Sequence, residues 1–120
     1  MANPFTTRGK VVLVPFPFDD LSATKLRPAV CLTEPIGANR HVVMAFITSR
    51  EISDLLPTDI ALPTTHPDFS ATGLRISSVL RLHRLITLST KIIQRELGKL
   101  SPNLERETAE RLSLLFSLKS

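Results

Sequence analysis

The sequence has 120 residues, of which 42% are hydrophobic and 22% are charged, with a formal net charge of +4 at pH 7. This length suits one domain over residues 1–120, and the composition excludes a disordered chain. The single cysteine, Cys31, excludes an internal disulfide and a cysteine-rich zinc site, and its apolar neighbours predict a core position. The longest apolar run covers residues 11–18, so we expect no membrane span and a cytoplasmic protein.

The first part of the chain predicts three β-strands. Residues 10–17, 27–33 and 40–48 are rich in β-branched and apolar side chains. Residues 19–26 connect the first two strands with more chain than a tight hairpin needs, and long loops of this kind often carry function. Residues 34–39 have the composition of a turn, so the second and third strands should form a hairpin.

The second part predicts further strands and one helix. Residues 58–62 form a weaker strand, residues 64–73 a loop, and residues 97–100 a last short strand or turn. Residues 79–88 alternate, which places two sets of side chains on opposite faces: Leu80, Leu82, Arg84, Ile86 and Leu88 against Val79, Arg81, His83, Leu85 and Thr87.

A helix should begin at Ser101-Pro102, a capping hydroxyl followed by proline. Its packing stripe should contain Leu104, Leu112, Leu115 and Phe116. The predicted fold is mainly β: a compact, mostly antiparallel barrel of five or six strands, closed by one C-terminal helix.

Charge is distributed unevenly along the chain. Residues 51–74 carry four acidic and no basic side chains, whereas residues 75–99 carry six basic and one acidic side chain. A basic stretch of this kind attracts a polyanion. The alternative is an ordinary solvated face.

Four side chains stand out for their chemistry. Arg27 precedes Pro28 and is therefore held extended at the start of a strand, where its forked donors suit a phosphate; an ion pair with a nearby acid is the alternative. Thr48 ends the third strand, so in the predicted hairpin it lies at the same end of the sheet as Arg27. It could bind a phosphate oxygen or be purely structural.

Arg81 and His83 lie two residues apart on one strand face, so their Cβ atoms should be roughly 7 Å apart. That spacing suits two groups flanking one phosphodiester, and histidine can act as acid or base near neutral pH. The alternative is a pair of solvent-facing strand residues.

Five segments of the sequence resemble the MazF/PemK family of toxins, in the same order. They are Gly9–Phe18, Lys25–Val30, Ala45–Ser49, Val79–Leu88 and Leu97–Ser101. The resemblance implies an SH3-like (CcdB/PemK-like) antiparallel barrel that forms a homodimer. It further implies an endoribonuclease that cleaves single-stranded messenger RNA without a metal or cofactor and is inhibited by a cognate antitoxin.

The resemblance also assigns site residues. The arginine of the Arg-Pro step and the threonine of the Ile-Thr step map to Arg27 and Thr48 as catalytic positions. A further arginine maps to Arg81, and the acid that often follows it by two residues is replaced here by His83. Some members place a titratable residue in the first loop. The nearest candidates here are Asp19 and Asp20, which we also expect to contact RNA. The other residues that we expect to contact RNA are Lys25, Ser49, Arg50 and Arg84.

The family reaction is attack by the substrate's own ribose 2′-hydroxyl on the adjacent phosphorus, which leaves a 2′,3′-cyclic phosphate and a 5′-hydroxyl. Arg27, supported by Arg81, would stabilise charge, Thr48 would bind the phosphoryl oxygen, and His83 would shuttle the proton. Two alternatives are open. A CcdB-like gyrase poison uses a C-terminal tail with tryptophan, which this sequence lacks. The other is an inactive barrel that binds RNA or protein.

Overall fold

The computed structural model describes residues 7–15 and 25–118. They form six strands and one α-helix, with short 3-10 turns at Ser70–Thr72 and Thr90–Ile92. The elements are β1 Lys10–Pro15, β2 Leu26–Cys31, β3 His41–Thr48, β4 Asp59–Leu62, β5 Ser78–Ser89, β6 Arg95–Lys99 and α1 Pro102–Leu115.

The six strands form one curled antiparallel sheet in the order β4-β5-β3-β2-β1-β6. The predicted hairpin of β2 and β3 is present, and its turn uses left-handed backbone at Gly37 and Arg40. The mainly β fold with a C-terminal helix is therefore confirmed. None of the described helices is long and apolar enough to cross a membrane.

Helix α1 begins where the sequence predicts. The Ser101 side chain accepts a hydrogen bond from the Leu104 backbone N–H at 3.1 Å, and Pro102 occupies the first turn. The Ser101 hydroxyl also donates to Asp68 at 2.8 Å, which ties the cap to the loop before β5. Phe116 was wrongly placed in the packing stripe: it follows the last helical residue and is 54% exposed.

Both faces of the sheet bury apolar side chains. The first cluster lies beneath α1 and combines Leu104 of the helix with strand residues such as Val30 and Leu80. The second cluster lies on the opposite face and includes Cys31 and Phe46. Cys31 is 1% exposed, so its predicted core position is confirmed.

The alternation predicted for β5 is wrong beyond its first half. β3 and β5 pair Phe46 with Arg81 but Ala45 with Leu85, so a bulge leaves residues 82–84 without a one-to-one partner. An odd number of extra residues exchanges the two faces. Leu85 therefore packs with Leu80 and Leu82 on the first cluster, whereas the second cluster takes Ile86 and Leu88.

Candidate functional site

A cleft of about 230 Å³ opens on the sheet, and four of its seven lining residues are arginines. Its wall includes Phe46 of the second cluster and Ile47 of the first. Arg81 is paired directly opposite Phe46 and so shares the Phe46 face, which is the face away from α1. No acidic side chain is among the described residues that line it. The lining residues are Arg27, Phe46, Ile47, Thr48, Arg50, Arg81 and Arg84.

Strand register explains how Arg27 and Thr48 meet. β2 and β3 pair Ala29 with Phe46, and the same register continued by two residues sets Arg27 opposite Thr48. Side chains two residues apart share a face of a strand, so both follow the face of Phe46. The predicted placement of Arg27 and Thr48 at one end of the sheet is confirmed, and both line the cleft.

The β5 bulge brings Arg81 and Arg84 into the same cleft. In a regular strand, residues three apart point to opposite faces. Both arginines nevertheless line the cleft, because the extra residues opposite Ala45 and Phe46 re-aim the backbone. The prediction that Arg84 shares a face with Leu80 is therefore wrong.

Thr48 has a hydrogen bond that orients its hydroxyl. The Oγ1 atom accepts from the backbone N–H of Arg50 at 3.1 Å. A hydroxyl has one proton to donate besides its acceptor sites, so this bond leaves the proton available to an oxygen in the cleft. The same bond fixes the backbone at Arg50, whose side chain is part of the cleft wall.

A buried carboxylate, Asp59, stands behind the cleft. Asp59 lies directly opposite Arg81 in the β4–β5 ladder, and its side chain is 0% exposed. It accepts from Arg81 Nε at 3.2 Å, from Arg81 Nη2 at 3.1 Å and from the Leu56 backbone N–H at 2.9 Å. Sequence reasoning missed this residue, because strand alternation does not show which acid pairs with which arginine.

His83 contacts the same carboxylate but does not line the cleft. Its Nδ1 lies 3.9 Å from Asp59 Oδ1, beyond hydrogen-bonding distance but within ion-pair range if the ring is protonated. His83 is exposed, with 34% of its side-chain surface accessible to solvent. The structure thus joins Arg81 and His83 through Asp59, and only Arg81 reaches the cleft wall.

The remaining predicted residues are distributed as follows. Lys25, two residues before Arg27, and Ser49, between Thr48 and Arg50, are exposed, but neither is part of the cleft wall. Asp19 and Asp20 lie outside the described residues. Over residues 7–15 and 25–118, no group of three or more His, Cys, Asp or Glu side chains is arranged to hold a metal ion.

Chemically, the cleft is an anion site. Several guanidinium groups and one oriented hydroxyl surround a space of about 230 Å³, and the Asp59 carboxylate that pairs with Arg81 is buried away from solvent. Guanidinium groups bind phosphate oxygens through paired N–H donors. The arrangement therefore fits a phosphodiester better than an apolar or cationic ligand.

Solved structures with the same fold include several toxins. The Mycobacterium tuberculosis toxin MazF-mt6 has a TM-score of 0.70 at 21% identity, covering 92% of this chain and 99% of that one. The MazE–MazF complex of Deinococcus radiodurans has a TM-score of 0.70 at 18% identity, with coverage of 96% and 99%. An endoribonuclease in complex with its cognate antitoxin from a mycobacterial species has a TM-score of 0.67 at 16% identity, with coverage of 98% and 99%.

Sequence comparison identifies the family independently of these structures. No curated protein sequence matches the chain significantly. A family model does match, over residues 7–116, and it describes PemK-like, MazF-like toxins of type II toxin–antitoxin systems. That match includes every described residue of the cleft. The chain therefore belongs to the PemK-like, MazF-like toxin family.

Proposed function

We propose that this chain is an endoribonuclease that cleaves single-stranded messenger RNA by attack of the ribose 2′-hydroxyl, without a metal ion. The observation that carries the proposal is the cleft, in which Arg27, Arg81 and the Thr48 hydroxyl converge from three neighbouring strands. Membership of the toxin family supports it. So do the relatives of the same fold that are described as endoribonucleases.

Each polar residue of the cleft has a role in this reaction. As the 2′-oxygen attacks phosphorus, negative charge grows on the phosphoryl oxygens, and Arg27 and Arg81 stabilise that charge. Thr48 donates its free proton to one of those oxygens. Arg50 and Arg84 are placed to hold the neighbouring phosphates of the strand.

The proton transfer is assigned to His83. Its ring turns Nδ1 toward Asp59, which leaves Nε2 as the atom that exchanges a proton with the substrate. His83→Ala should slow cleavage and flatten one limb of the pH–rate profile. His83→Asp should restore part of the rate, since a carboxylate at this position can take the same proton. An unchanged profile in His83→Ala would move the base to Asp19 or Asp20.

A cognate antitoxin and a second copy of the chain are the proposed partners, in the cytoplasm. Two solved relatives are complexes of an endoribonuclease or MazF with its antitoxin. A basic cleft also attracts an acidic protein segment, which would compete with RNA in a manner that weakens with salt. A native mass of about 13.3 kDa at micromolar concentration would refute the homodimer.

The decisive experiment incubates the purified protein with a long single-stranded RNA and maps the new 5′ ends. Cleavage should continue in EDTA and produce 5′-hydroxyl and 2′,3′-cyclic phosphate ends. A substrate with deoxyribose at the scissile position should resist. If chelation stops the reaction, or if the deoxy substrate is cut, the proposed chemistry is wrong.

Arg27→Ala is the matching variant. It should abolish cleavage while circular dichroism reports a folded protein, because the guanidinium stabilises the reacting phosphate. Arg75→Ala is the control, since Arg75 is an exposed arginine of the basic stretch over residues 75–99 and does not line the cleft. An equal loss of cleavage activity in the two variants would indicate that cleavage depends only on the overall positive charge of the protein.

A further inference from the structure

We propose that Asp59 is a positioning residue, which orients the Arg81 guanidinium so that its remaining donors face a phosphodiester in the cleft. This inference deepens the proposed function and rests on it. Asp59 is not part of the cleft wall and its side chain is 0% exposed, so it acts only through its neighbours.

The donor arrangement of Arg81 supports the proposal. An arginine side chain carries five N–H groups, and the two bonds to Asp59 occupy one on Nε and one on Nη2, which leaves three on Nη1 and Nη2. These three lie at the end of the side chain, and Arg81 lines the cleft. Two of them can bind two oxygens of one phosphate in parallel. A lysine could not make both sets of bonds.

Asp59 is itself fixed, as a positioning group must be. Oδ2 accepts from the Leu56 backbone N–H at 2.9 Å, and the Asp59 backbone N–H donates to the Leu56 carbonyl at 2.9 Å. The loop before β4 is further held because Arg111 of α1 donates to the Pro57 carbonyl. The orientation of Arg81 is thus determined by the backbone of β4 and its loop.

The charge of Asp59 allows a positioning role to be distinguished from a role in RNA binding. A carboxylate beside Arg81 reduces the net attraction of the cleft for a phosphate. Removing that charge should therefore leave RNA affinity unchanged or slightly stronger, while an unrestrained guanidinium should stabilise the transition state less well. We expect kcat to fall without a rise in KM.

The test is a double-mutant cycle of Asp59→Asn and Arg81→Gln on RNA cleavage. Asp59→Asn keeps the side-chain shape, and it should lower kcat roughly ten- to a hundredfold in the protein that retains Arg81. It should change kcat less than twofold in the Arg81→Gln protein, because the group through which it acts is gone. Asp54→Asn, the same substitution at an exposed position of the preceding loop, is the matched control.

A merely structural Asp59 would give a different result. The Asp59→Asn loss of kcat would then follow the fall in melting temperature and disappear at a temperature where the variant is fully folded, which overturns the proposal. The proposal is also overturned if Asp59→Asn causes no loss of kcat in the protein that retains Arg81.

The Nε–H resonance of Arg81, assigned by its absence in Arg81→Gln, gives a second measurement that needs no cleavage. It should be sharp in the wild type, shift with an all-deoxy oligonucleotide and broaden in Asp59→Asn. If the protein cuts no RNA but the signal both shifts with the oligonucleotide and broadens in Asp59→Asn, the proposed function is refuted and Asp59 positioning is supported. A sharp signal in Asp59→Asn, or no shift with the oligonucleotide, would refute the positioning.

Discussion

Replacing Arg81 with alanine tests the buried ion pair through stability alone. The substitution removes two of the three hydrogen bonds that the Asp59 carboxylate accepts among the described residues, and with them the opposite charge. Only the bond from the Leu56 N–H remains. Because the Asp59 side chain is 0% exposed, water does not replace the lost donors without a rearrangement of β4.

The expected cost follows from that burial. Breaking a buried pair from one side costs about 3–5 kcal/mol, because it leaves a charge without compensation. A domain of this size typically has about 5–15 kcal/mol of stability in total. The melting temperature should therefore fall by about 10–25 °C.

The assay is urea and thermal unfolding of three variants beside the wild type. Arg84→Ala is the control, since this arginine lines the same cleft from the same strand but is exposed, and it should cost less than about 0.5 kcal/mol. Adding Asp59→Asn to Arg81→Ala removes the stranded charge and should recover about 2 kcal/mol or more. If Arg81→Ala has the melting temperature of the wild type, or if adding Asp59→Asn recovers no free energy of unfolding, the ion pair does not stabilise the fold.

Three other predictions address single residues. Thr48→Ala loses one hydrogen bond to a charged oxygen, about 1.5–3 kcal/mol, so kcat/KM for RNA should fall about 10- to 150-fold; a change below threefold would contradict the assigned role. Burial raises the pKa of the Cys31 thiol to about 11, so the neutral thiol stabilises the fold fully below the unfolded value, and this contribution is lost as pH rises toward 11. Unfolding free energies from pH 8 to 11 should fall more steeply in the wild type than in Cys31→Ala, and parallel curves would contradict this. Gly73→Ala should lower the melting temperature, because Gly73 has φ +75° and a Cβ there would overlap the Leu97 carbonyl oxygen; an unchanged melting curve would show that the backbone can shift.

The predictable parts of the fold are those set by local pattern. Strands β1 to β5 and the start of α1 follow from apolar runs, a turn composition and the Ser101 cap, which depend on neighbouring residues only. For β6 the sequence allowed either a short strand or a turn over residues 97–100. Arg27 and Thr48 were predicted to meet because a hairpin connects their strands through a short turn. Register within a hairpin is fixed by its turn, so it can be inferred from sequence.

The missed parts depend on contacts between distant segments. Asp59 and Arg81 are 22 residues apart, and nothing local indicates that β4 pairs with β5 in that register. The bulge was not predicted, because a single alternation was assigned to residues 79–88. In the structure, the β3–β5 register shifts between Ala45 and Phe46. Arg84 therefore lines the cleft because of the bulge, which the strand pattern does not predict.

The bulge also limits how this sequence can change in length. Residues 82–84 have no one-to-one partners on β3, so deleting one of them would leave an even number of extra residues. Every side chain on one side of the bulge would then point to the wrong face, which would turn Ile86 and Leu88 away from the second cluster or Leu80 away from the first. A one-residue change in length at this point therefore affects the packing of half of β5 and not only the residues next to the deletion.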